Sequence, residues 1–575
     1  MPKVFTTQRP PVRGTNHMIS SGHYLASAAG YKILENGGNA IDAGVAAGIV
    51  LGITLPHWVS FGGVAPIMIY SSESKEISTI SGVGKWPELA SIEYFKSNSK
   101  NGIPSTIEKA VTPAACDSWL TAIENFGTMS FEEVVEPALE ICNKGFVIQG
   151  TLAHFLPDME ITPELSTLLM KNGELLKEGE ILKQKQLGKT FSRLIDIERQ
   201  YKNEGRVKAI RKTRDYFYKG EIAKEIDEFF KKNGGLLSKF DLENFSVEIE
   251  KPEIGTYKEY TIATCGAWCQ GPIFIEVLNL LENTDLKNME HNSANYIHTI
   301  VEAIKLSFSD RHFYIGDPKF VNVPLKGMLS KEYAKERSKL INKHSAFTEM
   351  PHPGNPFKYQ EEQNPDFILS ETPRPSKNPH EGDTSYVAVV DKWGNAFSAT
   401  PSDGYSQGGI CPELGLHISE RGSQGSLAKN NPNFIMPMKR PRITPNPSII
   451  LKNGSPYMAL GSPGNDRQPQ AMLQVLLNME IFGFEPQKAI ELPRLASFSF
   501  PSATHPNKSY PNMLMIEEDF PDQIAILLRE YGHNVKKWPR MFWQAGGVCL
   551  VRYNHCNNTF ESGADPRRDS YAQGI

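Results

Sequence analysis

The sequence has too few cysteines, at the wrong spacing, for a disulfide framework or a zinc site. Its 575 residues include seven cysteines, an odd number, with no Cys-x-x-Cys pair and no histidines at zinc-ligand spacing. Cys265 and Cys269 are four residues apart, but Gly266 and Pro272 predict a loop there rather than one helical face. We therefore expect reduced thiols, no metal and no cofactor, as is typical of a cytoplasmic protein.

Strong charge and long apolar runs are missing as well. A net charge of −4 and a pI near 6.4 give no basic surface for nucleic acid. The most apolar run, residues 43–55, ends at Pro56 and is too short to span a bilayer. Residues 1–13 lack the apolar core of a secretion signal. We expect a cytoplasmic protein that binds neither nucleic acid nor membrane.

Residues 382–402 predict a β-hairpin with a hydroxyl at its start. Residues 385–390 favour a strand, residues 392–395 (Lys-Trp-Gly-Asn) favour a turn, and residues 396–400 alternate again. Upstream, residues 345–380 contain seven prolines, and we expect an exposed, mobile segment there. A mobile segment would then lead directly to Thr384 at the beginning of a strand.

This arrangement suits a chain that cleaves itself in front of Thr384. Attack of the Thr384 hydroxyl on the carbonyl of Asp383 would move the acyl group from nitrogen to oxygen, and water would hydrolyse the ester. The new α-amine, with a reference pKa of about 7.7 to 8, would accept the proton of its own hydroxyl. A threonine that opens a strand is also an ordinary β-former, so the hairpin alone leaves both interpretations open.

Several short blocks occur along the chain in one order. They are Glu-Asn-Gly-Gly-Asn-Ala-Ile-Asp-Ala at 35–43, Phe-Gly-Gly at 61–63, Glu-Pro-Ala-Leu-Glu at 136–140, Gly-Gly-Leu-Leu at 234–237, Gly-Asp-Pro at 316–318, Lys-Arg-Pro at 439–441, Gly-Ser-Pro-Gly at 461–464 and Asp-Pro-Arg-Arg at 565–568. With the hairpin, they resemble the gamma-glutamyltranspeptidase family of N-terminal-nucleophile hydrolases, and the resemblance covers nearly the whole chain.

The resemblance implies a fold and a division of the chain. The fold would be α+β, a four-layer αββα sandwich in which two stacked antiparallel sheets lie between helical layers. Residues 1–383 would form a helix-rich large subunit that ends in the proline-rich segment at 345–383. Residues 384–575 would form a small subunit that carries the nucleophile. After cleavage between Asp383 and Thr384, the two would remain one heterodimeric catalytic unit.

The resemblance also implies roles for four residues. Thr384 would be the nucleophile and, through its α-amine, the base, and Ser402 matches a second hydroxyl that hydrogen-bonds the nucleophile. The backbone N–H groups of Gly464 and Asn465, in a turn before a helix, would hold the developing oxyanion. The family has two adjacent glycines at this turn; Asn465 departs from that pattern, although asparagine tolerates unusual backbone angles. The plain alternatives are a Gly-Pro turn and a solvated serine.

The substrate pocket departs from the family pattern on the large subunit. The family's arginine that binds the α-carboxylate of a glutamyl group falls on Val83. Lys85 is near, but a flexible point charge would not reproduce the bidentate fork of an arginine. A typical gamma-glutamyl site is therefore not expected.

The small subunit departs in the same direction. Ile443 and Thr444 replace paired serines, and residues 420–426 replace the acidic pair that receives the substrate amine. These changes resemble the acylase and amidohydrolase branch of the family. Arg421, Thr444 and Arg442 are candidate contacts for an acidic substrate, and each could equally be a surface residue in a salt bridge.

Three functions follow from these observations. The first is a self-cleaving threonine amidohydrolase or acylase that acts on a small amide through an acyl-enzyme, with water or an amine as acceptor. The second is a gamma-glutamyltransferase or glutathione hydrolase with a rebuilt pocket. The third is an uncleaved family member that kept the fold as a scaffold or binding protein.

Overall fold

The computed structural model describes residues 7–99, 102–360, 383–405 and 410–575. Within these ranges the α-helices are α1 (Tyr24–Glu35), α2 (Ala40–Thr54), α3 (Ile92–Asn98), α4 (Ala115–Phe126), α5 (Phe131–Lys144), α6 (Gly150–Phe155), α7 (Pro163–Leu169), α8 (Lys185–Tyr201), α9 (Arg206–Tyr218), α10 (Glu221–Lys232), α11 (Lys239–Glu243), α12 (Gly271–Leu281), α13 (Ala294–Tyr314), α14 (Leu325–Met328), α15 (Lys331–Ser338), α16 (Gln468–Glu480), α17 (Pro486–Glu491) and α18 (Asp522–Glu530). None of the helices in these ranges is long and apolar enough to cross a membrane.

The strands of the same ranges occur on both sides of residue 384. They are β1 (Val12–Gly14), β2 (Met18–Ser21), β3 (Ile67–Ser71), β4 (Glu76–Ile80), β5 (Phe146–Val147), β6 (Met170–Lys171), β7 (Glu174–Leu175), β8 (Ile181–Leu182), β9 (Ile249–Glu250), β10 (Glu253–Tyr257), β11 (Tyr260–Thr264), β12 (Val387–Val390), β13 (Ala396–Ala399), β14 (Ile410–Cys411), β15 (Leu416–His417), β16 (Ser448–Lys452), β17 (Ser455–Gly461), β18 (Leu495–Ser497), β19 (Met513–Glu517), β20 (Asn534–Trp538), β21 (Cys549–Asn554), β22 (Thr559–Ala564) and β23 (Tyr571–Gly574).

Two seven-stranded sheets form the centre of the molecule. The first has the order β1-β22-β21-β17-β16-β11-β10, and the second has the order β23-β2-β12-β13-β3-β4-β9. Every neighbouring pair in both sheets is antiparallel. Each sheet combines strands from both sides of residue 384, so the two parts of the chain are interleaved.

Alternation along the hairpin strand β12 separates two cores. Val387 and Val389 belong to the cluster formed with α1, α2, α4 and α5, whereas Ala388 and Val390 belong to the cluster between the two sheets. On the far side, α12, α13 and α16 pack on the outer face of the first sheet. Because successive side chains of a strand point to opposite faces, this gives four layers in the order αββα. The predicted α+β sandwich is confirmed.

Helix α2 is the helix that packs most closely on the hairpin. Its side chains are buried all around, and Asn39 and Asp42 form a capping box at its start. A Cβ at Gly44 would lie 2.2 Å from the ring of Phe397 on β13, and one at Gly30 would lie 2.8 Å from the carbonyl oxygen of Ala43. The glycines of this region therefore serve close packing.

The described part of the proline-rich segment, residues 345–360, is hydrogen-bonded to the body of the protein and contains both buried and exposed residues. The backbone N–H of Phe347 donates to Glu302, and the hydroxyls of Ser309 and Tyr314 donate to backbone carbonyls of the segment. These partners all lie on α13, so the segment runs along that buried helix. The rest of the predicted mobile segment, 361–382, lies outside the described residues.

Candidate active site

The hairpin places Thr384 beside Ser402. Its turn is set by Asp391, whose carboxylate accepts from the backbone N–H groups of Trp393 and Asn395, 2.9 Å away in each case. Beyond the end of the β12–β13 ladder, Thr384 and Ser402 form an isolated antiparallel bridge. Both residues are buried.

The Phe-Gly-Gly block supports Ser402 from the other side. The backbone N–H of Ser402 donates to the carbonyl of Val64 at 2.9 Å. A Cβ at Gly63 would lie 2.2 Å from the Ser402 carbonyl oxygen, so a side chain at this position would displace the strand. The second glycine of the Phe-Gly-Gly block is thus required sterically, because its neighbour leaves no room for a side chain.

The hydroxyl of Ser402 joins three groups. Its Oγ lies 2.9 Å from Thr384 Oγ1 and 3.0 Å from the carbonyl oxygen of Asp383, and it accepts a hydrogen bond from Arg421 Nη2. A carbonyl only accepts and a guanidinium only donates. The single Ser402 proton must therefore point to Asp383, and the remaining lone pair accepts the proton of Thr384.

Arg421 is held in place by a buried ion pair. Its Nε lies 2.7 Å from Asp403 Oδ1, and the two side chains are 10% and 9% exposed. Ser419 donates a hydrogen bond of 2.5 Å to the other oxygen of Asp403. Arg421 is therefore not a surface residue, and its guanidinium is already used within the protein.

Two glutamines connect Arg421 to the predicted oxyanion turn. Gln424, in the same short turn as Arg421, exchanges two hydrogen bonds of 3.2 Å with Thr444. Gln270 then donates to the backbone carbonyls of Thr444 and Asn465, at 3.0 Å each. Thr444 is thus hydrogen-bonded to Gln424, three residues after Arg421, and is connected through Gln270 to the turn.

The turn itself has the backbone conformation expected of its glycine. Gly464 has φ of 121°, and Asn465 has φ of 52°, in the left-handed region that asparagine tolerates. At the start of the turn, a Cβ on Gly461 would lie 2.2 Å from the ring of Tyr386. Since Tyr386 is two residues after Thr384, β17 delivers this turn to the same end of the sandwich as Thr384.

Arg442 is linked to Gln424 through Asn433, which accepts from the backbone N–H of Arg442 and donates to the carbonyl of Gln424. Its Nη1 donates to the carbonyls of Arg311 and Ile315, at the C-terminal end of α13, at 3.0 and 3.3 Å. Burial, with the neighbouring charge of Arg311, lowers the pKa of Arg442 to about 9. One nitrogen of its guanidinium thus binds the last carbonyls of a helix, and the contact between Arg442 and a substrate stays a prediction.

Val83, at the place of the family's arginine, is 1% exposed and belongs to the cluster between the sheets. Burial lowers the pKa of the nearby Lys85, and the negative charge of Glu248 acts in the opposite direction. The structure therefore offers an apolar side chain where a carboxylate clamp would be needed.

A second arginine binds the side chain of Asp383, the residue that precedes Thr384, and sequence reasoning missed this contact. Arg568 Nη2 donates to Asp383 Oδ2, while Asp383 Oδ1 accepts from the backbone N–H of Thr384 at 2.8 Å. Arg568 lies in the Asp-Pro-Arg-Arg block, which signalled resemblance only. Asp403 was missed as well, and its position directly after Ser402 is the one signal that could have indicated it.

Two titratable groups near the site have shifted pKa values. Burial raises the pKa of Glu420 to about 8, although the ammonium of Lys109, 2.9 Å away, acts in the opposite direction. Burial lowers the pKa of His57 to about 3, and the charge of Arg568 contributes in the same direction. His57 is therefore neutral at physiological pH.

The described residues contain one cluster with metal-ligand chemistry, His298, Glu302 and His533. His298 Nε2 donates to the Asn342 carbonyl at 2.7 Å, and its Nδ1 lies 2.8 Å from His533 Nε2. Glu302 pairs with Lys305 at 2.7 Å. Both nitrogens of His298 are thus occupied by hydrogen bonds, and the cluster anchors residues 342–347.

The family model described as gamma-glutamyltranspeptidase matches residues 26–575. The chain belongs to the gamma-glutamyltranspeptidase family.

Relatives in this family carry two kinds of name. The chain is 31% identical to the glutathione hydrolase proenzyme of Bacillus subtilis (strain 168), over 100% of this chain and 94% of the relative. It is 28% identical to the acylase ACY 1 proenzyme of Pseudomonas sp. (strain SE83), over 96% of this chain and 92% of the relative.

A solved member of the family has the same architecture. The cephalosporin acylase from Bacillus halodurans superposes with a TM-score of 0.85 at 25% identity, covering 100% of this chain and 98% of that chain. The αββα sandwich is thus shared with an enzyme of known structure. Like these family members, the protein is a hydrolase that acts on amide bonds.

Proposed function

We propose that the chain cleaves itself between Asp383 and Thr384 and then uses Thr384 to hydrolyse small amides through an acyl-enzyme. The observation that carries this proposal is the shared hydroxyl of Ser402, which contacts both the Thr384 hydroxyl and the Asp383 carbonyl oxygen. Ser402 thereby accepts a hydrogen bond from the attacking Thr384 hydroxyl and donates one to the Asp383 carbonyl oxygen, on which negative charge develops.

In the first reaction, Thr384 Oγ1 attacks the carbonyl carbon of Asp383 as its proton passes to Ser402, and Ser402 passes its own proton to the Asp383 oxygen. The C–N bond then breaks as that proton moves on to the nitrogen of Thr384, and an ester joins Asp383 to the Thr384 oxygen. Water hydrolyses this ester, which leaves a carboxylate on residue 383 and a free α-amine on Thr384. The Ser402 hydroxyl stabilises the oxyanion in the attack step because it already donates to that oxygen.

In turnover, the α-amine of Thr384 takes the proton of its own hydroxyl, and the oxygen attacks the substrate carbonyl. The leaving amine takes that proton as the amide bond breaks. Water attacks the resulting ester, releases the acid and restores the hydroxyl. The N–H groups of Gly464 and Asn465 are the proposed donors to the oxyanion, because they lie in the turn that β17 delivers to this end of the sandwich.

The substrate we propose is an acyl amide of the acylase type rather than a gamma-glutamyl compound. Val83 is apolar and buried where a carboxylate clamp is required, and Arg421 is engaged by Asp403. Hydrolysis of glutathione remains the second candidate, since the Bacillus subtilis relative carries that name at 31% identity. The two fragments are proposed to stay together as a heterodimer because their strands alternate within each sheet.

Two measurements test this function. Purified protein on a denaturing gel should run as fragments 1–383 and 384–575, with Thr384 found by N-terminal sequencing, whereas Thr384→Ala should run as one chain. Cleaved protein should hydrolyse simple acyl-anilides faster than gamma-glutamyl-anilide. A single uncut chain that still hydrolyses amides would contradict the proposed mechanism, and preference for gamma-glutamyl-anilide would favour the second candidate.

A further inference from the structure

Arg568 and Asp383 form an ion pair that is shielded from solvent. Their side chains are 3% and 2% exposed. The guanidinium carbon of Arg568 lies 4.5 Å from the ring centroid of Trp58 and 5.0 Å from that of Trp543. The aromatic faces hold the cation in a fixed orientation and exclude water from it.

The arginine has more donors than the ion pair uses. Its Nε and Nη1 are buried and have no hydrogen-bond partner within the described ranges. A Cβ at Gly547 would lie 2.5 Å from Arg568 and 2.9 Å from Pro463, so the arginine and the turn that contains Gly464 both adjoin Gly547. Arg568 therefore binds Asp383, lies near the turn of the proposed oxyanion donors, and has unused donors for an anion.

Asp383 is, in chemical terms, the first acyl donor of Thr384. Self-cleavage esterifies its carbonyl to the Thr384 oxygen, and turnover forms the same kind of ester with a substrate. In the intact chain, Asp383 therefore occupies the place of a substrate acyl group. Its carboxylate stands two carbons from the carbonyl that is attacked, and Arg568 binds that carboxylate.

Cleavage turns residue 383 into a chain end. If this end leaves, Arg568 becomes a buried cation without its carboxylate, an arrangement that favours binding of another anion. The other arginines considered for this task are occupied: Arg421 pairs with Asp403, and Arg442 binds the carbonyls at the end of α13. Of these three arginines, Arg568 is the one that binds the residue in front of Thr384 and keeps buried donors without a partner among the described residues.

We propose that Arg568 is the carboxylate-binding residue of the cleaved enzyme, and that the preferred substrates are amides of succinyl type. In such a group the carboxylate stands two carbons from the amide carbonyl, as the Asp383 side chain does in the intact chain. The proposal rests on the function proposed above, because it takes Thr384 as the nucleophile. The glutaryl group, one carbon longer, fits this spacing less well, and the butyryl group has no charge for Arg568.

The first test uses the cleaved wild-type protein and three anilides. The kcat/KM for succinyl-anilide should exceed that for butyryl-anilide about 100-fold, because a buried charged donor left unpaired penalises the neutral acyl group. Glutaryl-anilide should lie between them. Free succinate should inhibit competitively, and butyrate at the same concentration should not. Equal rates for succinyl- and butyryl-anilide would overturn the inference while leaving the amidase function intact; no hydrolysis of any amide by cleaved protein would overturn the function itself.

The second test uses Arg568→Gln and Arg568→Lys, measured on the cleaved fraction. The succinyl-to-butyryl ratio of kcat/KM should fall from about 100 towards 1 in Arg568→Gln and less in Arg568→Lys, which keeps the charge without the fork. Arg552→Gln is the matched control, because Arg552 also pairs with a carboxylate, Glu561, on the distant β21–β22 ladder. It should keep the wild-type ratio. A succinyl-to-butyryl ratio that is unchanged in Arg568→Gln would overturn the inference. If Arg568→Gln stays uncut, the inference is decided by the wild-type ratio and by succinate inhibition of the wild-type enzyme.

Discussion

Ser402 Oγ lies 3.0 Å from the carbonyl oxygen of Asp383, on the acyl side of the bond in front of Thr384. The hydroxyl is fully buried and receives its other hydrogen bonds from Thr384 and Arg421. The Ser402 proton is therefore donated to the Asp383 carbonyl oxygen, and this carbonyl is polarised before any attack begins. This preorganised donor distinguishes the residue-383 carbonyl from an ordinary strand carbonyl.

Replacing Ser402 by alanine should slow self-cleavage about 100-fold, the usual cost of losing one oxyanion donor. The measurement is the rate at which freshly purified uncut chain converts to two bands. Ser402→Thr should restore most of the rate. Ser398→Ala is the control, since Ser398 is buried in the same hairpin and hydrogen-bonds Tyr386 instead; equal slowing in both variants would show that the effect is structural.

Asp403→Asn should lower the free energy of unfolding by about 3 kcal/mol, because it leaves the buried Arg421 cation without its counter-charge. Denaturant titration in the uncut Thr384→Ala background measures this on a single chain. Lys144→Met removes an exposed ion pair with Glu140, whose partners are 75% and 48% exposed, and should change stability by less than about 1 kcal/mol. A small effect of Asp403→Asn would mean that Arg421 finds another partner.

Asn465→Gly should keep self-cleavage and amide turnover within about threefold of wild type, because glycine adopts the φ of 52° observed here without strain. Asn465→Val places a β-branched side chain at that angle, at a cost of about 1–3 kcal/mol, and should lower kcat/KM at least tenfold. Full activity of the valine variant would exclude a precise backbone role for this turn.

His57→Phe should remove a pH dependence of stability below pH 6.5. Burial lowers the pKa of His57 to about 3 in the folded protein, so between these values the unfolded chain binds a proton that the folded chain does not. Stability contributed by the neutral ring is present above pH 6.5 and is lost as the pH falls, at about 1.4 kcal/mol per pH unit.

The comparison is between denaturant midpoints of wild type and His57→Phe at pH 7, 6 and 5 in the Thr384→Ala background. Both His57 nitrogens are buried without a hydrogen-bond partner among the described residues, so phenylalanine leaves no polar group unpaired. The exposed His555 is the control position. Parallel pH curves for wild type and His57→Phe would contradict the shifted pKa.

Local patterns in the sequence predicted the hairpin that carries Thr384. The apolar run at residues 43–55 largely coincides with α2, Ala40–Thr54, which is buried along its whole length. Alternation and turn residues indicated the hairpin, and β12 and β13 are found there. These features were accessible because helix and strand periods, caps and turns depend on residues close together in the chain.

Pairings across the chain were not accessible in the same way. Asp383 and Arg568 are 185 positions apart, and only the folded sheets bring them together. Arg442 is the opposite case. It follows the Lys-Arg-Pro block and was a candidate substrate contact, but its guanidinium donates to carbonyls at the end of α13. The charge of a residue alone therefore does not predict which partner the fold brings next to it. The roles of Thr384, Ser402, Gly464 and Asn465 remain predictions for the experiments above.

The interleaving of strands has a kinetic consequence for the processed protein. In the second sheet β2 lies between β23 and β12, and in the first sheet β11 borders β16, so segments from both sides of residue 384 share hydrogen-bond ladders. Separating the two pieces would require the rupture of these ladders and of the common cores. Exchange of an isotopically labelled small piece into unlabelled protein should therefore be as slow as complete denaturation of the molecule.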